Sequence, residues 1–178
     1  IHLKVYDVAD YSVAQVAKII ERPVQSTSNI MKLVNPIIEN VIKNGDKALL
    51  ELTEKFDKVK LSSPIIRAPF APELYQLPKD IKDALDLSME NVHKFQVAQI
   101  QKEAMEVATS QGVICSRFSR PIEKVGLYIP GGTAVLPSTA LMLGVPAKAA
   151  GCREIILASP PRKDGTLTPE VVYVAHKI

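Results

Sequence analysis

The sequence predicts an α/β fold in which a mainly helical section is followed by a β-α-β-α segment with parallel strands. Three observations carry that prediction. Residues 125–129, Val-Gly-Leu-Tyr-Ile, form a short apolar run with a β-branched residue at each end, the composition of a strand buried on both faces of a parallel sheet. Pro130-Gly131-Gly132 stops the run. The next stretch, 137–150, is rich in Ala, Leu and Met, starts with a proline suited to a helix's first turn and ends at Gly151, a natural C′ residue. Residues 155–158, Ile-Ile-Leu-Ala, then supply a second strand. A strand, crossover and parallel strand are expected to be right-handed, with the helix N-terminus aimed over the strands' carboxyl ends.

Along the rest of the chain, Ser12 caps a helix whose apolar positions Val13, Val16, Ala17 and Ile20 share one face, ending before Pro23. Ser26, Thr27 and Ser28 offer caps for a second helix. Its residues Ile30, Leu33, Val34, Ile37, Ile38, Val41 and Ile42 keep the helical period up to Asn44-Gly45, and Pro36 is expected to kink or divide it. Asp46 caps a third helix from Ala48 to Phe56. Pro78-Lys79-Asp80 opens a fourth, with Ile81, Leu85, Met89, Val92 and Val97 as its buried stripe. Residues 61–70 are punctuated by proline and hold one short strand candidate, Ile65-Ile66. The segment 103–118 is expected to contribute β structure, best at Val113-Ile114-Cys115. Residues 160–165 form an exposed turn, and Thr168-Pro169-Glu170 opens a last helix carrying Val171, Val172, Val174 and Ala175.

This pattern divides the chain into a mainly helical section, 1–110, and the start of a sheet domain, 111–178. A helix that runs into the last residue, beside a sheet of two strands, is expected to belong to a domain incomplete at its C-terminal side. Such a sheet leaves apolar surface that further strands would cover. At 178 residues with 47% apolar content, the chain is long enough for one domain, or for one domain and part of another. No apolar run reaches the length of a membrane span, and the N-terminus lacks the basic-then-apolar layout of a signal peptide, so a cytoplasmic protein is expected. Cys115 and Cys152 show no Cys-x-x-Cys spacing and are read as buried free thiols.

The net charge is +3. From Val113 to Lys163 the basic residues Arg117, Arg120, Lys124, Lys148, Arg153, Arg162 and Lys163 stand against Glu123 and Glu154 alone. That balance suits an anionic ligand near the glycine turn, or equally a solvated basic face that binds nothing. Nucleic-acid binding is disfavoured, because the five tyrosines and four phenylalanines are scattered rather than interleaved with a basic stripe. At the turn itself, Gly131 and Gly132 have a backbone role, allowing close approach of a ligand. The N-terminus of the following helix favours an anion through its free N–H groups and dipole. The turn has neither Gly-x-Gly-x-x-Gly nor a Walker-type lysine, so a tight turn with no ligand stays open as a reading. Ser138 and Thr139 could help hold an anion or bond their own backbone, and Arg117 and Arg120 could approach phosphate or pair with Glu123.

The run Arg-Pro-Ile-Glu-Lys-Val-Gly-Leu-Tyr-Ile-Pro-Gly-Gly from Arg120, followed by Pro-Ser-Thr-Ala-Leu-Met-Leu and Pro-Ala-Lys-Ala-Ala-Gly-Cys-Arg-Glu-Ile, closely resembles histidinol dehydrogenase. The resemblance extends back through 43–50, 53–57, 91–95 and 111–113, and so covers nearly the whole chain. It is strongest to the fungal form, in which the dehydrogenase is the C-terminal part of a trifunctional histidine-biosynthesis protein. A start at Ile1 without methionine suits an excised piece of such a chain.

The resemblance implies a Rossmann-like sheet domain and the oxidation of L-histidinol to L-histidine through an aldehyde, with two NAD⁺ and a zinc ion that holds the substrate. It implies a homodimer in the cytoplasm, with zinc sites completed across subunits, and other catalytic domains on the same polypeptide. The one cofactor contact it transfers to this sequence is Tyr128, the tyrosine of Leu-Tyr-Ile-Pro-Gly-Gly, as an NAD contact; a core tyrosine is the alternative. The family's zinc ligands, a Gln-x-x-His, an Asp and a further His, and its Glu-His acid-base pair match nothing before Ile178. No catalytic and no metal residue is therefore assigned, and the isolated segment is expected to be inactive. His2, His93 and His176 are read as surface or structural histidines. The competing readings are a non-catalytic helical and α/β interaction module, and an unrelated nucleotide-dependent transferase on the same loop.

Overall fold

The computed structural model describes residues 4–22, 27–101, 103–131 and 136–178, which divide into two units, Ile1–Gly45 and Asp46–Ile178. In the first, a 3-10 turn over Val8–Asp10 precedes helix α1, Val13–Ile19, and helix α2, Thr27–Asn44. Ser12 and Gln15 form a reciprocal capping box: the Gln15 N–H donates to Ser12 Oγ at 3.4 Å and the Ser12 N–H to Gln15 Oε1 at 2.9 Å. The helix α2 holds Pro36 in its interior and is not divided by it. The cap candidate Ser26 and the stop Pro23 lie outside the described residues.

The second unit contains α3 (Asp46–Asp57), α4 (Lys79–Gln99), strands β1 (Met105–Ser110), β2 (Val113–Arg117) and β3 (Lys124–Tyr128), α5 (Pro137–Ala150), strand β4 (Glu154–Ala158) and α6 (Pro169–Lys177). Strands β1 and β2 form an antiparallel hairpin through a turn with Gly112 at φ 79°. Strands β3 and β4 pair in parallel, Lys124 with Glu154 through Tyr128 with Ala158. The expected β-α-β-α order is therefore present. Gly151 ends α5 in the left-handed region, φ 87°, as expected of a C′ glycine, and its N–H caps the last turn.

Three expectations change. Ile65-Ile66 is not a strand, because the Ser63 hydroxyl accepts from the Ile65 N–H at 3.2 Å and donates to its carbonyl at 3.0 Å, a local loop that Pro64 keeps out of any ladder. Strand β3 is covered on one face only, its residues alternating between exposed and half-buried. Cys115 is exposed rather than buried, since every residue of the two-stranded hairpin is exposed; Cys152 is half-buried, and both are free thiols.

The core gathers Leu85 from α4, Ile129 after β3, Ala140, Leu141 and Val145 from α5, and Val171, Tyr173 and Val174 from α6. Of the stripe expected on α4, Leu85 is buried, Met89 and Val92 pack against the cluster, and Ile81 is exposed. The cluster crosses residue 110, so α4 helps support the parallel pair. Its polar rim is the contact between α4 and α6. The Tyr173 hydroxyl donates to the Asp86 carboxylate, 3.0 Å from each oxygen, and the Lys177 ammonium lies 3.1 Å from Asp86 Oδ1. Burial pushes the Tyr173 hydroxyl above the usual tyrosine range, and the hydrogen bond to Asp86 raises the Lys177 ammonium above the usual lysine range.

Removing only the hydroxyl with Tyr173→Phe should lower the unfolding free energy by about 0.5–1.5 kcal/mol, measured by urea titration. Both raised groups hold their protons more tightly in the fold, so their stabilisation is complete below the ordinary Tyr and Lys ranges and is lost as alkaline pH titrates them. Asp86→Asn should flatten that alkaline decline; an unchanged slope would show that the carboxylate does not govern it.

Candidate functional site

The carboxyl ends of β3 and β4 lie side by side because the strands are parallel. Their ladder runs one residue further, where the Ile129 N–H donates to the Ala158 carbonyl at 2.8 Å. Ile129 is fully buried in the cluster with Ala140 and Leu141. Side chains alternate across a strand, so Tyr128 points to the opposite face, and it is 65% exposed. Within the described residues it is not packed into the core cluster. Its ring and hydroxyl are open to a ligand at the end of the strand.

Gly131 follows in a confined place: a Cβ built on it would lie 3.2 Å from both Cδ and Cγ of Pro160, in the loop after β4. The absent side chain is thus explained by a neighbouring loop. Gly132 lies outside the described residues. Helix α5 starts with Pro137, and its N-cap Leu136 offers no side-chain acceptor; the Thr139 N–H donates to the Leu136 carbonyl at 3.0 Å. The hydroxyls of Ser138 and Thr139 have no partner among the described residues. The helix start therefore carries its partial positive charge without an internal counter-group among those residues.

The basic residues are mostly engaged elsewhere. Arg117 donates to Gln101 Oε1 at 2.8 Å, and the Arg120 guanidinium sits 4.7 Å over the Phe118 ring. Glu123 pairs with Arg153 at 2.6 Å instead of with either, and Lys124 pairs with Glu154 at 3.0 Å. Lys148 donates to the Lys177 carbonyl, and Arg162 lies 4.0 Å from Asp164. These contacts are exposed and individually weak, but they spend the charge along the surface rather than converging it on the turn.

Among the described residues, no three His, Cys, Asp or Glu side chains come together as a metal site. His93 is exposed on α4, His176 stacks on Tyr75 with centroids 4.4 Å apart, and His2 lies outside the described residues. A surface groove of about 510 Å³ lies at the base of the hairpin, lined by Ile100, Gln101, Glu103, Ala104, Met105 and Arg117. It contains Arg117, one of the candidate anion contacts, and not Tyr128. The rim formed by Tyr173, Asp86 and Lys177 escaped sequence reading. Only the i,i+4 spacing of Tyr173 and Lys177 hinted at a shared face, and their partner is 87 residues from Tyr173.

Residues 20–178 match the family model of histidinol dehydrogenase. The chain belongs to the histidinol dehydrogenase family. Among curated relatives it is 66% identical, over 93% of its length, to the histidine biosynthesis trifunctional protein of Kluyveromyces lactis, and 63% identical, over 97%, to that of Komagataella pastoris. It is 47% identical over 97% of its length to the histidinol dehydrogenase of Schizosaccharomyces pombe. The crystal structure of histidinol dehydrogenase from Elizabethkingia anophelis superposes with a TM-score of 0.80 at 34% identity, over 94% of this chain and 39% of that one. The chain spans about a fifth of the length of the trifunctional relatives, 20% and 21% for the two named. The mixed helix-and-strand architecture is thus that of the family. No described helix is long and apolar enough to cross a membrane.

Because Tyr128 is exposed, Tyr128→Ala should shift the unfolding free energy by no more than about 0.5 kcal/mol. Thermal melts of variant and parent test this, and a loss of the size expected for a buried aromatic would return Tyr128 to the core.

Proposed function

We propose that this chain is the opening part of the dehydrogenase in a histidine-biosynthesis protein, and that its second unit begins a Rossmann-like NAD-binding domain. The observation that carries this reading is the exposed Tyr128 at the carboxyl end of β3, in a chain matching the histidinol dehydrogenase model over residues 20–178. The reaction is the oxidation of L-histidinol to L-histidine through the aldehyde. NAD⁺ supplies the hydride acceptor, twice per turnover. The residues present fit a dinucleotide: the ring and hydroxyl of Tyr128 offer a contact surface with one donor, and the start of α5 offers a field that favours its phosphates.

The described residues do not fit the zinc that the family implies, since no donor set converges. The metal ligands and acid-base residues belong, on this reading, to other parts of the full protein. The same reading places the protein in the cytoplasm as a homodimer, with further catalytic domains on one polypeptide.

In the full-length enzyme, Tyr128→Phe should raise the NAD⁺ KM by an amount equivalent to about 0.5–1.5 kcal/mol, with histidinol KM little changed. Tyr128→Ala should raise it further by removing the ring. Steady-state kinetics with each substrate varied decide the matter; unchanged NAD⁺ kinetics in both variants would make Tyr128 a bystander.

A further inference from the structure

Gly131 and Pro160 belong to different loops, one after β3 and one after β4, that the parallel register brings together at the strands' carboxyl ends. A Cβ on Gly131 would stand 3.2 Å from two ring carbons of Pro160, closer than most real Cβ contacts, and next to them lies a third at 3.5 Å. Pro160 can yield little. Its ring is closed and its φ is fixed near −65°, and it follows Ser159 directly after a strand whose last residue is hydrogen-bonded through its carbonyl to Ile129. The backbone at Gly131 is therefore seated on a rigid surface, two residues beyond a fully buried Ile129 and three beyond Tyr128. We infer that Pro160 is a positioning residue for dinucleotide binding: its ring fixes the path of the Pro130-Gly131 turn at the carboxyl end of β3. This inference rests on the NAD reading above. Pro160 itself need touch neither cofactor nor substrate.

The test is a double-mutant cycle in the full-length enzyme, with Gly131→Ala, Pro160→Ala and the two combined. Gly131→Ala should raise the NAD⁺ KM about fivefold, Pro160→Ala about twofold, and the double variant should lie below the product of the two, because the smaller side chain leaves room for the added methyl. Histidinol KM should not follow. Thermal melts of the same four proteins show whether each variant folds and whether the two sites are coupled in stability. Coupled melting temperatures with unchanged NAD⁺ KM values would make Pro160 a packing residue only, and additive effects on NAD⁺ KM would remove the contact from the account. Tyr128→Ala, run in parallel, separates the two levels: if it still raises the NAD⁺ KM, the positioning role alone has failed; if it does not, the NAD reading has failed as well.

Discussion

Parallel pairing of β3 with β4 obliges the chain to return to the starting edge before the second strand can begin. Helix α5 makes that return, and almost everything else in the second unit is fitted to it. Its residues Ala140, Leu141, Gly144, Val145 and Ala147 are buried, so the helix is apolar over more than one face and needs cover from more than one side. The strands give part of that cover through Ile129 and Leu157. Helices α4 and α6 give the rest, and at Gly144 the side chain of Ile178, at the end of α6, occupies the space a Cβ would take. The strands' carboxyl ends inherit their position from this packing.

Much of the sheet unit was legible in the chain because its punctuation is chemical. Pro130-Gly131-Gly132, Pro137 and Gly151 mark a strand end, a helix start and a helix end by backbone constraint, and β3, α5 and β4 fall within a residue of where those marks put them. Thr168-Pro169 marked α6 in the same way. What stayed hidden depended on the third dimension. A strand buried on one face and one buried on both have similar apolar content when short, so the exposure of Tyr128 was not readable from its neighbours. The contact of Gly131 with Pro160 is invisible to any pattern within a single element.

The charged residues show the same limit from the other side. Their excess between Val113 and Lys163 is a true property of the sequence, but composition does not say where each side chain goes. Glu123 lies three residues from Arg120 and 30 from Arg153, yet it pairs with Arg153, because the β3–β4 register sets the start of both strands together. The Glu123 carbonyl also accepts from the N–H groups of Arg153 and Glu154, at 2.9 and 3.0 Å. Register, rather than proximity along the chain, decided that partnership. It also locked the alternation that sends Ile129 inward and Tyr128 outward, since a slip of one residue would exchange the two faces.

The hairpin of β1 and β2 stands apart from this arrangement. None of its strand residues is buried, its ladder has an irregularity between Ala108 and Ser110, and Arg117 ties it to Gln101 by one exposed hydrogen bond. A cooperative unit is bounded by the burial that its members share. The hairpin shares almost none with the cluster around Ile129, so its opening need break little beyond its own ladder. The molecule therefore has two scales of stability: local separation of β1 from β2, and a costlier loss of the α4–α5–α6 assembly that carries the strand ends with it.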